Sequence, residues 1–219
     1  IYSEMPPLPQ QVVTTDGVTL IGTGEISAGQ NVWQSMGGME VGSIWGHGSY
    51  VAPDWSADYL HREAMFILNQ WAEDEFNDDF ASLNSERQSQ LTGRLKDLLR
   101  TNTFDTTTRT ITVDPVRAAA YRSIAAHYQD VFLKGVVDYA IPAQTVSTEE
   151  RARQLSAFFS WSAWATVTNR PGLTVSYTQN WPHEPLVGNV PTGESVVWTG
   201  VSIIMLLAGI SAMGWWYAS

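Results

Sequence analysis

The side chains of this 219-residue sequence best suited to proton transfer or metal ligation are four histidines, His47, His61, His127 and His183. Asp58 and His61 stand three residues apart, a spacing that puts both on one face of a helix and that a metal could use, with His47 as the nearest third donor. No second histidine follows at i+4, so a hydrogen bond from His61 to backbone or to an acid accounts for the same residues. His127, beside Tyr128, reads as a partly buried, hydrogen-bonded histidine. His183 and Glu184 follow a Trp-Pro pair and could meet a polar ligand or close a loop salt bridge. A phosphate-binding loop, a dinucleotide fingerprint and a Gly-x-Ser-x-Gly elbow are all absent from the sequence. Neither a catalytic residue nor a metal site is therefore expected within this chain.

Composition narrows the field further. With no cysteine, disulfides, thiolate metal sites and covalent c-type haem attachment are excluded. Twelve Lys+Arg against 22 Asp+Glu give a net charge of −10, which would repel nucleic-acid phosphates. Glu73, Asp74, Glu75, Asp78, Asp79 and Glu86 crowd into one stretch, which reads as a solvated helix end and loop.

One segment looks built to wrap around something: "GGMEVGSIWGHGSYVAPDW", from Gly37 to Trp55, with five glycines and two tryptophans. The elements that would position it can be laid out along the chain. Asp16-Gly17 between two β-branched runs signals a hairpin. A short helix over 28–36, capped by Ser27, is expected to end at Gly37-Gly38. A long helix starting at Ser56 would bury Leu60, Ala64, Ile67, Leu68 and Trp71. Ser85 with Gln88 suggests a capping box for a helix burying Leu91, Leu95, Leu98 and Leu99. The Thr-rich stretch 101–113 alternates, so an extended segment is expected there, pairing with the N-terminal hairpin. Asp114-Pro115 caps a helix presenting Val116, Ala120, Ile124, Tyr128 and Val131 and ending near Gly135. Ser147 with Glu150 suggests a second capping box, opening a helix through Phe158 and Phe159 to about Thr168.

After Glu194, 25 residues carry no charge: "SVVWTGVSIIMLLAGISAMGWWYAS". As a helix that run spans a hydrocarbon core of about 30 Å. Trp198 near one end and Trp215, Trp216 and Tyr217 near the other match interfacial aromatic belts. Gly200, Gly209 and Gly214 suit close packing on neighbouring membrane helices. "IYSEMPPLPQ" at the other end has a Pro-rich, extended character. The chain is expected to be one piece of a longer membrane protein. It divides into an extended linker and hairpin (1–24), a mainly helical domain (25–168), a structured linker (169–194) and a transmembrane helix (195–219).

The blocks "GQNVWQSMGGMEVGSIWGHGSYVAPDWSADYLHRE", "FFSWSAWATVTNRPG" and "YTQNWPHEPLVGNVPT", with the Trp-rich span after them, resemble the N-terminal region of quinol-dependent nitric oxide reductase. The fold implied is mainly α with a small β portion: a cytochrome c-like extracytoplasmic domain without haem, followed by one transmembrane helix. In the related cytochrome c-dependent enzymes, Cys-x-x-Cys-His precedes Gly-x-Gly-x-Tyr-x-Ala-Pro. The latter run is matched here by Gly46-His47-Gly48-Ser49-Tyr50-Val51-Ala52-Pro53, which places the haem attachment positions at Gly38, Val41 and Gly42. The glycine-rich loop is then the frame of a lost haem c site, with Trp33, Met36, Met39, Trp45 and Trp55 as the bulky residues to fill it.

The resemblance further implies that the full-length enzyme reduces two NO to N2O with two electrons and two protons, using haem b, haem b3 and non-haem iron. No cofactor is expected in this segment, because those ligands belong to catalytic helices elsewhere. The expected partners are that catalytic membrane-helix domain, membrane lipid and quinol, with no nucleic acid. His183 and Glu184 are the candidates for contact with the quinol region. The expected location is the inner (cytoplasmic) membrane, with residues 1–194 on the periplasmic side. Two other classes share some of these features: an extracytoplasmic sensor or binding module on a membrane anchor, and a metal-dependent enzyme using His47, Asp58 and His61.

Overall fold

The structure, a computed structural model, describes residues 5–48 and 51–218; Ser49 and Tyr50 of the glycine-rich loop, and the side chain of His47, lie outside what is described. The regular elements of the described residues follow in the order β1 (Gln11–Thr14), β2 (Thr19–Ile21), α1 (Glu25–Ser35), β3 (Ser43–Ile44), β4 (His47–Gly48), α2 (Trp55–Phe76), α3 (Ser85–Arg100), β5 (Phe104–Asp105), β6 (Thr110–Val113), α4 (Pro115–Lys134), α5 (Glu149–Val167) and α6 (Gly193–Ala218). The fold is mainly helical with a small sheet, as the sequence pattern implies.

Helix α5 is the axis of the domain, with α1, α2 and α4 packed around it. Its sequence explains this position. From Ala152 to Val167 nearly every residue is apolar or small, and twelve of its residues are buried. Such a helix, apolar on all sides, can only sit in the middle. The closest helix crossing is with α1, where Gly29 is indispensable: a Cβ there would lie 1.9 Å from the Gln154 carbonyl oxygen.

Strands β1 and β2 form the expected hairpin around Asp16-Gly17, with Val12 opposite Ile21. The Thr-rich stretch folds back as β5 and β6, and β6 pairs in parallel with β1, Val12 facing Ile111 and Thr14 facing Val113. The sheet order β2-β1-β6-β5 therefore joins residues about a hundred positions apart.

Four helix starts depart from the sequence expectation, α2 among them, which begins at Trp55 rather than Ser56. Helix α1 begins at Glu25 after Gly24, which adopts φ 82°, and Ser27 lies inside it. Asn84 rather than Ser85 caps α3, accepting from Arg87 N, while the Gln88 amide donates to the Phe80 and Ala81 carbonyls. Thr148 rather than Ser147 caps α5, and Glu150 turns to Arg153 and Gln154. At α3 and α5 the adjacent side chain nearest the true first turn took the cap and left the box partner free for other bonds, whereas α1 starts without a side-chain cap. Asp114 caps α4 as expected, with Pro115 at the first helical position.

The segment after α5 is laid against the body by several bonds, with one arginine making the largest share. Arg100, at the end of α3, donates to Asn180 Oδ1 (2.9 Å), Asn189 Oδ1 (3.1 Å) and the Thr174 carbonyl (3.0 Å). Asn189, fully buried, donates in turn to the Thr166 and Pro182 carbonyls. Helix α6 then runs from Gly193 with none of its described residues buried and with an 18-residue stretch of mean hydropathy 2.1. Its length and composition are those of a membrane span.

Candidate functional site

The glycine-rich loop is held shut by Asp54. Its carboxylate caps α2 by accepting from Ala57 N (2.9 Å), and also accepts from Ser43 Oγ (2.8 Å), Gly46 N (2.5 Å) and the Ser56 hydroxyl. One acid thus ties the loop's descending limb, its β3–β4 turn and the start of α2 together. Ser43 N donates to the Pro53 carbonyl at 3.1 Å and Trp45 N to Ser56 Oγ at 3.1 Å, which completes the closure. The helix thus starts one residue before the expected Ser56. A short acid followed by an apolar and a small residue, as in Asp54-Trp55-Ser56, is the signal that identifies the cap.

Beneath the loop lies an aromatic cluster. Trp55, fully buried, stacks on Phe159 (centroids 5.4 Å apart, planes 9°) and meets Tyr128 edge-on at 5.8 Å and Phe132 at 5.1 Å. Its indole N–H donates to the Val41 carbonyl at 2.8 Å. Trp33, also buried, meets Phe159 edge-on at 5.7 Å. These offset and edge contacts are the favoured aromatic geometries. Trp45 is only partly buried; it leans on Trp161 and donates to the Ser162 carbonyl at 2.9 Å. Met36 packs on the core, but Met39 is exposed and fills nothing, a correction to the expectation for that residue.

The residues at the haem attachment positions do not fit a tethered haem. Gly38 and Val41 offer no thiol, and Gly42, where an axial histidine would stand, has φ 111°. A Cβ on Gly42 would lie 2.4 Å from Trp55 Nε1 and 2.6 Å from the Pro53 carbonyl oxygen. Any side chain there collides with the indole that fills the space.

The other candidates are dispersed. Glu184 is buried, and its carboxylate meets His61 Nδ1 at 2.8 Å while accepting from Leu186 N. It does not pair with His183, which is exposed. The local loop salt bridge is thus replaced by a bond across the fold from the linker to α2. Asp58 is engaged by Arg62 Nε (2.8 Å) and by the Tyr128 hydroxyl (2.9 Å), on a different set of partners from His61. Burial raises the Tyr128 phenol well above its ordinary range, and the Asp58 carboxylate raises it further, so it stays a donor. Among the described residues no group of three His, Asp or Glu side chains could hold a metal ion. Burial lowers the His127 imidazole below its ordinary value, and the Arg62 charge adds to that effect. The acids from Glu73 to Asp79 are exposed, with Glu75 paired to Arg94 at 2.6 Å.

One polar feature is hardly legible in the sequence. Glu63 of α2 and Arg117 of α4 form a buried ion pair at 2.8 Å, close to Tyr59, Tyr121 and Ser160. Its trace in the sequence is a pair of opposite charges set within two apolar helix stripes. Pairing makes such burial tolerable, and loss of one partner costly.

No curated protein matches this chain. A family model does match, that of the NorB cytochrome c-like domain of nitric oxide reductase, over residues 9–183. The match runs through the closed loop, the aromatic cluster and most of the linker, and stops before the apolar helix α6. With that coverage, the chain belongs to the NorB family of nitric oxide reductase and carries its cytochrome c-like domain.

Proposed function

We propose that this chain is the extracytoplasmic domain and following membrane helix of a quinol-dependent nitric oxide reductase, and that the domain serves as a haem-free structural cap. The full enzyme would reduce two NO to N2O, with electrons drawn from quinol inside the membrane. Haem b, haem b3 and non-haem iron would be held by catalytic helices outside this segment. The domain would lie on the periplasmic side of the inner membrane and dock on those helices.

The observation that carries this reading is Gly42 pressed against Trp55. A domain of this family without thiols, whose axial position is taken up by a buried indole, cannot relay electrons from a soluble cytochrome through haem c. A lipid-soluble donor needs no such relay. His183 is exposed a few residues before α6, and so remains the candidate for contact at the quinol entry region; Glu184 would act by fixing the linker.

The test is made on the full-length enzyme. A haemochrome spectrum should show b-type haem and no c-type haem, and NO consumption should run with quinol but not with reduced cytochrome c. Covalent haem c on this chain, or equal rates with the two donors, would refute the reading. His183→Ala should slow the quinol-driven rate while leaving the rate with an artificial donor unchanged. Loss of both rates would make His183 structural.

A further inference from the structure

Where the domain meets α6, the structure leaves a half-open cavity of about 610 Å³. One wall is the β3–β4 turn with Trp45, the second is Trp181, and the third is the first two turns of α6, at Ser195, Val196 and Thr199. The lining is mostly apolar. Trp45 is pinned by its bond to the Ser162 carbonyl, so that wall is fixed. Trp181 lies over Gly46 so closely that a Cβ there would be 2.6 Å from its indole nitrogen, so the glycine admits the indole. Trp181 is nonetheless 44% exposed, turned in part toward the open space.

The level of this cavity points to its occupant. Its third wall is the beginning of an apolar helix, none of whose described residues is buried, and exposed apolar side chains, Val197, Ile203 and Ile204 included, cover much of that helix. Two indoles at the mouth of a span mark the depth of the lipid glycerol and ester groups. Among the described residues no Lys or Arg lines the cavity. The charged side chain adjacent in sequence to the lining Ser195 is an acid, the exposed Glu194. A charge of that sign repels a purely anionic headgroup and attracts an ammonium.

We propose that this cavity is a binding site for one phosphatidylethanolamine-type membrane lipid, seated with its glycerol region between Trp45 and Trp181 and its acyl chains along α6. The lipid seals the joint between the domain and the span, where the polypeptide makes few contacts of its own. The inference rests on α6 being a membrane span and not on the identity of the electron donor.

The test uses the full chain in nanodiscs made of equal parts phosphatidylethanolamine and phosphatidylglycerol, transferred to mild detergent and read by native mass spectrometry. One phosphatidylethanolamine should be retained per chain, at least fivefold in excess over phosphatidylglycerol. Thr199→Trp, which fills the cavity from α6, should lower the retained lipid about fivefold or more, whereas Ile204→Trp, further along the span, should leave it unchanged. Absence of a stoichiometric lipid, equal retention of the two lipids, retention of a quinone in its place, or equal loss in both variants would each overturn the proposal. The lipid preference of the unaltered chain decides the matter even if a variant fails to fold.

Discussion

At the scale of single residues, Trp55 bears most on stability and His127 on pH. Trp55 is fully buried against the rings of Tyr128, Phe132 and Phe159 and donates a hydrogen bond to the Val41 carbonyl. Trp55→Ala removes that area and leaves a hole that Gly42 cannot fill, so it should cost about 3–5 kcal/mol in denaturant unfolding. A loss under about 1 kcal/mol would mean the cluster is not the core it resembles. For His127 the sign is as follows. Its folded-state pKa lies below the unfolded one because burial, helped by Arg62, disfavours the imidazolium. The folded chain therefore favours the neutral ring. That contribution is present above the unfolded value of about 6.5 and is lost as pH falls through the lower folded value. His127→Asn should flatten the fall in melting temperature below about pH 6.5 relative to the unaltered protein. Parallel pH curves for the two proteins would remove His127 from the account.

Among the elements, the segment between α5 and α6 depends on bonds to residues outside it, Arg100 foremost. Arg100 reaches from the end of α3 to Asn180, Asn189 and the Thr174 carbonyl. Arg100→Ala takes the donor from the buried Asn189 Oδ1, while Asn180 Oδ1 keeps Ser176 N, and should cost about 1–3 kcal/mol. Hydrogen exchange should rise across 174–189 while α1 and α4 stay protected, and uniform protection in the variant would contradict the brace. The amphipathic helices were legible from their apolar spacing: Leu60, Ala64, Ile67 and Leu68 are buried as the period demands. Cap positions were less so, because Asn84 and Ser85, like Ser147 and Thr148, are adjacent residues of similar cap propensity, and only the backbone path selects between them.

For the whole molecule, the body and α6 are nearly separate structural units, since none of the described residues of α6 is buried. A chain ending at Thr192 should unfold at the same temperature, within about 2 °C, as the complete chain in detergent, because little burial is lost. A larger fall would show that α6 supports the domain. Asp54 and the Trp55 indole tie the glycine-rich loop to the body through Gly46 N and the Val41 carbonyl.

The sequence by itself determined the features that depend on local period and composition: the helices, the hairpin at Asp16-Gly17, the apolar span, and the exclusion of thioether chemistry from a chain with no cysteine. Only the tertiary structure decided which distant groups meet. It paired Glu184 with His61 rather than with His183, set Glu63 against Arg117, and pressed Gly42 onto Trp55. The reason is physical. Periodicity reports which face of an element avoids water, but it carries no information about which other face will be packed against it.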